Sequence, residues 1–420
     1  MVITKAALIG AGGGPAPGIP RLLQAYVQEI EERGIAVFAC HNGYEPLIGG
    51  NLDGITRLTA DGVRDWHLRG KVPIGMSRKT FSESNFDIGV RTLRALKARE
   101  GMDIVALVFA GGDDTLHTLS KFAGRLPAEL AGADVFHLPK TIDDDYGPRR
   151  DTWVHPWPTY PKLRMRAPTT FGIATAAVHS ARTSLLPAYE DLLTTPGNFA
   201  IEQTMGRYSG SLAYATSLVL GAMLAGLGEV DERPMCVIPE MIKADTTLQG
   251  LAEMCADGFK ARWKRGKRCG MIIISEGVIP KLDPVSQSEL VAHTLAQEDD
   301  HKNSDLEKFQ LLAHLEPRVV DMLKASGIPV KKLRCSKQGY NLRCVPAGDF
   351  DTSYTTAIAT HAVRRTADKG TTHARASLFY DGSVREVPFS KLILSADERT
   401  ERIYLPREVA DELWRDFVCF

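Results

Sequence analysis

Two carboxylates, Asp113 and Asp114, stand side by side in GGDDT, directly after the apolar run VALVFA. Adjacent acids at the end of a strand are costly unless a cation neutralises them. Mg²⁺ with a phosphate is the natural pairing, because Mg²⁺ takes one or two carboxylates plus phosphate oxygens. Capping of the helix that follows explains one of the two acids and not both. A second charged site is PKTIDDD, Pro139 to Asp145, where three acids follow Lys140 and Thr141. There one carboxylate can remove a hydroxyl proton while Lys140 holds a phosphate; a solvated acidic turn is the competing reading. The glycine cluster GAGGGPAPG, Gly10 to Gly18, misses the pattern GxGxxG because Pro15 or Pro17 falls where the third glycine belongs, and GxxxxGK[ST] is absent from the chain. Glycines before a helix can still present N–H groups to a phosphate, or form no more than a flexible turn. In MGRYSG, Met205 to Gly210, an Arg beside glycine at a helix start suits an oxyanion, although an Arg covering surface fits as well. Glu240 in IPE, and Tyr340 and Arg343 in YNLR, are weak signals by themselves.

Each of these loops follows a segment with the pattern of a strand. KAALIG leads into the glycines, and Ile19 to Ile35 has the period of an amphipathic helix. IAVFAC, DIVALVFAGG, DVFHL, NFAIEQ, MCVIPE and MIIISEG continue the series, with a helical period over Asp87 to Glu100. Continuous apolar strands alternating with helices predict α/β lobes with mainly parallel sheets covered by helices. In such sheets ligands bind beyond the carboxyl ends of the strands, where these loops fall. Near the end ASLFYDGSVREVPFSKLI alternates in polarity around Asp381-Gly382, a hairpin signal.

Composition narrows the classes. The 420 residues exceed one ordinary layered domain and fit two domains sharing a cleft. With 51 basic against 51 acidic side chains the net charge is zero, which argues against a protein built to grip nucleic acid. The seven cysteines are scattered and form no CxxC pair, which predicts a reducing, cytoplasmic setting and no zinc site. MVITKAALIG reads as a first strand and not as a signal peptide. Ser211 to Gly228 carries Ser, Thr, Tyr and Gly and reads as a buried helix, not a membrane span. Asp151 to Thr170, with its four prolines, two tryptophans and the cations Lys162, Arg164 and Arg166, has the character of a functional loop.

Taken together, the loops resemble the phosphofructokinase family. GGGPAPG is similar to its phosphate turn and IGMSR, Ile74 to Arg78, to its GxSR segment, while GGDDT, PKTIDDD, MGR, PE and YxxR follow in family order. The resemblance implies two Rossmann-like lobes and Mg²⁺-assisted phosphoryl transfer to the 1-hydroxyl of fructose 6-phosphate. By position it makes Asp143 the general base, with Arg207, Lys140 and Asp114 in the catalytic set. Asp113 would hold Mg²⁺, Gly13 would lend its N–H to the donor, and Arg78 would bridge the transferring group. Gly112, Thr115, Asp114 and Lys140 would complete the donor site. Thr141, Ile142, Asp145, Met205, Gly206, Arg207, Glu240, Tyr340 and Arg343 would line the sugar phosphate, and Arg334 would reach it across a subunit interface, which implies a homodimer or homotetramer.

Two positions speak to the donor. ATP-using members of the family carry glycines where this chain has Asp114 and Lys140. Asp114 adds bulk and negative charge where the α-phosphate of a nucleotide would lie, and Lys140 offers a cation to a small, highly charged pyrophosphate. This pair marks the pyrophosphate-dependent branch. Departures also occur: Asp144 replaces an Asn, Pro15 and Pro20 replace polar residues, and Asn198 stands where many members carry an Arg to the 6-phosphate. The last leaves open another phosphosugar or a polyol as acceptor. A non-catalytic phosphosugar sensor is the alternative from another class, disfavoured because a binder has no need of Asp143. The expected lobes are 1–170 for the donor, with part of 347–395 returning to it, and 171–346 for the acceptor, with the tail 396–420 against it.

Overall fold

IAVFAC and DVFHLP are buried at every position, and a segment wrapped on both faces is stable only as an inner strand between helix layers. The computed structural model describes residues 4–143, 171–291, 306, 309–367, 374–380 and 383–389. The loop 151–170, Asp144, Asp145 and the tail 396–420 lie outside the described residues. In chain order the strands are β1 (Lys5–Ala11), β2 (Ile35–Cys40), β3 (Ile55–Leu58), β4 (Asp103–Gly111), β5 (Asp134–Pro139), β6 (Asn198–Thr204), β7 (Met235–Val237), β8 (Gly270–Ser275), β9 (Lys332–Lys337), β10 (Ala374–Tyr380) and β11 (Ser383–Pro388).

Among the described residues the chain divides into two units, one of 4–142, 171–175 and 343 onward, the other of 143 and 176–342. The first holds a sheet ordered β11-β10-β5-β4-β1-β2-β3. Its five inner strands run parallel and its edges, β11 and β3, antiparallel. Tyr380 pairs with Ser383 in the antiparallel β10–β11 pair, while Asp381 and Gly382, where the hairpin turn was expected, lie outside the described residues. The second unit holds the all-parallel sheet β7-β8-β6-β9. Mainly parallel sheets in both units agree with the alternation of strands and helices in the sequence.

The helix after the glycine cluster ends at Glu32, short of the expected Ile35. Gly34 turns left-handed at φ 72°, which a β-branched residue resists, and Ile35 opens β2 instead. Its apolar stripe of Leu22, Leu23, Tyr26, Val27 and Ile30 has the i, i+4 spacing that puts one face inward, and all five are buried. Behind β4 an aromatic stack fills the core: Phe81 lies 4.3 Å from Phe122 and Tyr44 4.4 Å from Phe109, centroid to centroid. This rigid layer carries the turn that follows β4. In the second unit the helix Ser211–Gly226 is buried along most of its length, as expected. Among the described residues no helix is long and apolar enough to cross a membrane.

At the opposite pole from the loops, where β7 and β8 begin, Arg262 is buried and satisfied. Its guanidinium reaches the carbonyl of Cys269 at 3.1 Å, that of Arg233 at 3.2 Å, the Tyr189 hydroxyl at 3.1 Å, and the Glu232 carboxylate. Lys267 sits 3.0 Å from the other Glu232 oxygen. The pair fixes the base of the second sheet.

Candidate active site

In the first unit the loops after β1, β4 and β5 converge at the carboxyl ends of neighbouring parallel strands. Gly12 donates to the carbonyl of Ala110 at 2.8 Å, Gly13 to that of Ser77 at 2.9 Å, and Lys140 to that of Gly111 at 2.8 Å. These bonds bring GGG, GMSR, GGDDT and PKT to one place, as expected for Gly13, Gly112, Asp113, Asp114, Thr115, Lys140 and Thr141, with the exposed Arg78 next to Ser77. The Lys140 side chain is only 5% exposed and donates from Nζ to the carbonyl of Gly14 at 2.6 Å. A Cβ on Gly13, whose φ is 78°, would lie 3.6 Å from that Nζ, so the ammonium hangs directly over the turn. Close approach also explains the glycines beside it: a Cβ on Gly111 would meet Thr115 Oγ1 at 2.1 Å, and one on Gly12 the same atom at 2.6 Å.

The helix Asp113–Ala123 begins at the acids themselves and not after them. Gly112 takes the cap position without a side chain, and both aspartates lie in the first turn. Asp113 Oδ1 accepts from the Asp114 amide at 2.9 Å. Neither acid is used up as the cap. Among the described residues no group of three or more His, Cys, Asp or Glu could hold a metal ion by itself. One or two carboxylates at the head of a helix, completed by phosphate oxygens and water, nevertheless form a donor set that Mg²⁺ accepts.

Below this turn lies His137, which sequence reasoning missed. It is fully buried on β5, and Nε2 donates to the Gly112 carbonyl at 3.1 Å. Burial, with the Lys140 charge adding to it, pushes its pKa down to about 3, so the ring stays neutral. Its one signal was a polar residue in an otherwise apolar strand. Gly14, the acceptor for Lys140, was also passed over, although it belongs to the same glycine cluster. Tyr44 supports the turn from the core side by donating to the Thr115 carbonyl at 3.2 Å.

In the second unit the loops after β6, β7 and β8 gather in the same way. Met205 and Gly206 are buried, and Gly206 at φ 129° donates to Glu276 Oε1 at 3.2 Å. Ser275 Oγ donates to the Gly206 carbonyl at 3.0 Å. Arg207 was expected at a helix start. The helix begins instead at Ser211, because Ser209 and Gly210 intervene, and Arg207 sits in the loop. Glu240, from the turn after β7, accepts the Gly210 amide at 3.1 Å and so joins this loop. Asp143 belongs to this unit, three residues beyond Lys140. Tyr340 lies past the end of β9 and is half exposed.

Arg334, expected to act across a subunit interface, Asn198 and Arg343 stand outside this cluster. Arg334, in β9, is held by Asp191 at 2.8 Å and the Ala188 carbonyl at 3.2 Å, on the helix Leu186–Leu193 and apart from the loop cluster. Asn198 opens β6, at the opposite end of that strand from Met205. Arg343, expected with Tyr340 at the sugar phosphate, belongs to the first unit. A Cβ on Gly14 would meet its Nη1 at 2.9 Å. Ile142 is buried, and Asp145 lies outside the described residues.

Each unit is thus an open, mainly parallel α/β sheet with its charged loops at the carboxyl ends of the strands, the class of fold that binds ligands at that edge. Residues 6–149 match the Phosphofructokinase family model. A pyrophosphate–fructose 6-phosphate 1-phosphotransferase of Thermotoga maritima is 28% identical over 84% of this chain and 75% of its own length. An ATP-dependent 6-phosphofructokinase of Aspergillus niger is 30% identical over 66% of this chain but only 33% of its own length. The crystal structure of a pyrophosphate-dependent phosphofructokinase from Nitrosospira multiformis shares the fold at a TM-score of 0.61 and 16% identity, covering 98% of this chain and 91% of that one. Residues 6–149 thus carry the family's pattern, and similarity to named phosphofructokinases runs over most of the chain.

Proposed function

We propose that this protein is a pyrophosphate-dependent 6-phosphofructokinase, transferring a phosphoryl group reversibly from pyrophosphate to the 1-hydroxyl of fructose 6-phosphate. Relatives named for either donor exist, so the donor must be argued from this chain's residues. The observation that carries it is Lys140, buried over the glycine turn with Nζ 2.6 Å from the Gly14 carbonyl. A fixed ammonium there meets a compact two-phosphate anion, while Asp114 in the first helical turn opposes a longer polyphosphate.

Gly13, Gly112 and Thr115 then line the donor, with Arg78 toward the transferring group, although the Gly13 N–H expected to serve the donor is taken by the Ser77 carbonyl. Asp113 would hold Mg²⁺, which, when bound, offsets charge on the phosphate oxygens. Asp143 takes the proton from the attacking hydroxyl and carries it as the new ester bond forms and the pyrophosphate P–O bond breaks. Met205, Gly206, Arg207, Glu240 and Tyr340, with Thr141 and Ile142, hold the acceptor. Positioning and fixed charge supply most of the catalysis in such transfers. The family's intersubunit Arg, matched by Arg334, favours a homodimer or homotetramer, and the scattered cysteines favour the cytoplasm.

Asn198 favours a second reading, the same donor with another phosphosugar or a polyol as acceptor. Steady-state assays decide among these. Fructose 6-phosphate should be phosphorylated with pyrophosphate and hardly with ATP, and Asp143→Asn should nearly abolish turnover while sparing ligand binding. ATP turnover equal to that with pyrophosphate overturns the donor; a higher kcat/KM for another acceptor overturns the sugar; no turnover with any donor leaves the sensor.

A further inference from the structure

The turn after β2, Asn42 to Glu45, packs against the segment that carries Arg78. The Asn42 amide donates to the Ile74 carbonyl at 2.8 Å. Gly43, at φ 66°, lies so close that a Cβ there would meet the Ala11 carbonyl oxygen at 3.0 Å and the Ser77 amide nitrogen at 3.6 Å. Backbone bonds hold the segment as far as Ser77, whose own carbonyl takes the Gly13 amide at 2.9 Å. Arg78 is exposed, and Lys79 beyond it is tied through side chains. Glu45 Oε1 accepts from Ser77 Oγ at 2.7 Å and stands 3.6 Å from Lys79 Nζ. Ser77 Oγ accepts in turn from the Lys79 amide at 3.1 Å. A hydroxyl has a single proton to give, so with the amide on its lone pair that proton goes to Glu45. The carboxylate thus grips the residue before Arg78 and the residue after it.

We propose that Glu45 is a positioning residue for Arg78, holding the chain on both sides of it so that the guanidinium is aimed from one fixed stretch of backbone. This rests on the reading of Arg78 as the cation toward the transferring group, and deepens it. A displacement of about 1 Å at such a group is enough to slow a transfer by about 10²-fold. The Lys79 ion pair contributes little by itself, because the Lys79 side chain is 61% exposed and that of Glu45 36%. The bond from Ser77 is the effective contact, and a glutamine oxygen accepts it as well as a carboxylate does.

The test is a double-mutant cycle on the full-length enzyme with Glu45→Leu and Arg78→Ala, read with the donor the wild type prefers, after unfolding curves confirm that each variant is folded. Glu45→Leu should lower kcat by about 10-fold, the scale of one hydrogen bond to a charged group. KM for the donor and for fructose 6-phosphate should each stay within about twofold, because the interaction lost is one made in the transition state. Ser77→Ala removes the same bond from its other end and should match Glu45→Leu, while Glu45→Gln should keep most of the activity. In the slow Arg78→Ala enzyme, Glu45→Leu should cause no further loss, because both changes act through one group. A folded Glu45→Leu enzyme with the kcat of the wild type overturns the proposal. So does an equal loss in the Arg78→Ala background, a rise in KM alone, or a glutamine variant as slow as the leucine one. Failure of the underlying reading appears separately: Arg78→Ala with an unmoved kcat removes the role of Arg78 itself, and a wild type that prefers ATP removes only the donor.

Discussion

His137 Nε2 and the carbonyl oxygen of Gly112 are 3.1 Å apart, and this bond ties the floor of β5 to the turn that presents Asp113 and Asp114. It exists only while the ring is neutral in the tautomer that carries hydrogen on Nε2. Lys140, three residues on, adds a positive charge that a protonated ring could not tolerate.

The consequence is an acid limit to stability. His137 titrates near 6.5 when unfolded and near 3 when folded, so below about pH 6.5 the unfolded chain binds the extra proton. The stabilisation is complete above pH 6.5 and is lost as pH falls toward 3, by at most ~1.4 kcal/mol per pH unit. Denaturant unfolding at pH 7 and pH 5 should show this loss. His137→Leu, less stable at pH 7, should show a smaller decline between the two, and an unchanged decline would refute the assignment.

Donor choice should respond to two side chains. Lys140→Gly should lower kcat/KM for pyrophosphate by about 10²–10³, the effect of removing one well-placed cation. Adding Asp114→Gly removes the bulk and charge at the head of the helix, and the pair should raise activity with ATP relative to pyrophosphate. Measurement of kcat/KM for both donors decides it. A double variant with the donor ratio of the wild type would show that neither residue selects.

Gly206 offers a test of the acceptor loop. At φ 129°, with a Cβ position 2.5 Å from the Ser209 carbonyl oxygen, it cannot become alanine without moving the backbone that carries Arg207. Gly206→Ala should cost about 1–3 kcal/mol of strain. The expected kinetic result is a higher KM for the sugar phosphate with KM for pyrophosphate nearly unchanged. Equal rises in both would mean that the loop serves the donor as well.

How much of this was legible depended on range. The inner strands were, because IAVFAC, VALVFA and MIII are apolar without a break and a parallel strand covered on both faces requires that. The antiparallel pairing of β10 with β11 was legible because polarity alternates on both sides of a short turn signal. The glycine, GGDDT and PKT loops could be grouped because each directly follows such a strand. His137 could not be placed, since polarity in a strand does not say which carbonyl it meets. Arg343 could not either: its route to Gly14 depends on where the chain crosses between units, which spacing from Tyr340 does not encode. Arg207 was put at a helix start because Ser209 and Gly210 read equally well as helix or as loop.

The buried pair at the other pole of the second unit should matter for stability and not for chemistry. Arg262 and Glu232 are both nearly inaccessible, and the Tyr189 hydroxyl donates to Glu232 Oε2 at 3.1 Å. Removing one partner leaves a buried charge without its counterion, which costs about 3–5 kcal/mol, far more than the pair contributes relative to apolar residues of the same volume. Glu232→Ala should therefore lower the unfolding free energy by about that amount, and the kcat of the remaining folded enzyme should match wild type. Arg262→Met with Glu232→Leu should recover most of the loss, because no fully buried charge is left unpaired and Lys267, which also loses Glu232, is partly exposed. If the double variant is as unstable as Glu232→Ala, the hydrogen bonds from Arg262 to the Cys269 and Arg233 carbonyls hold the base of the sheet, and the ion pair does not.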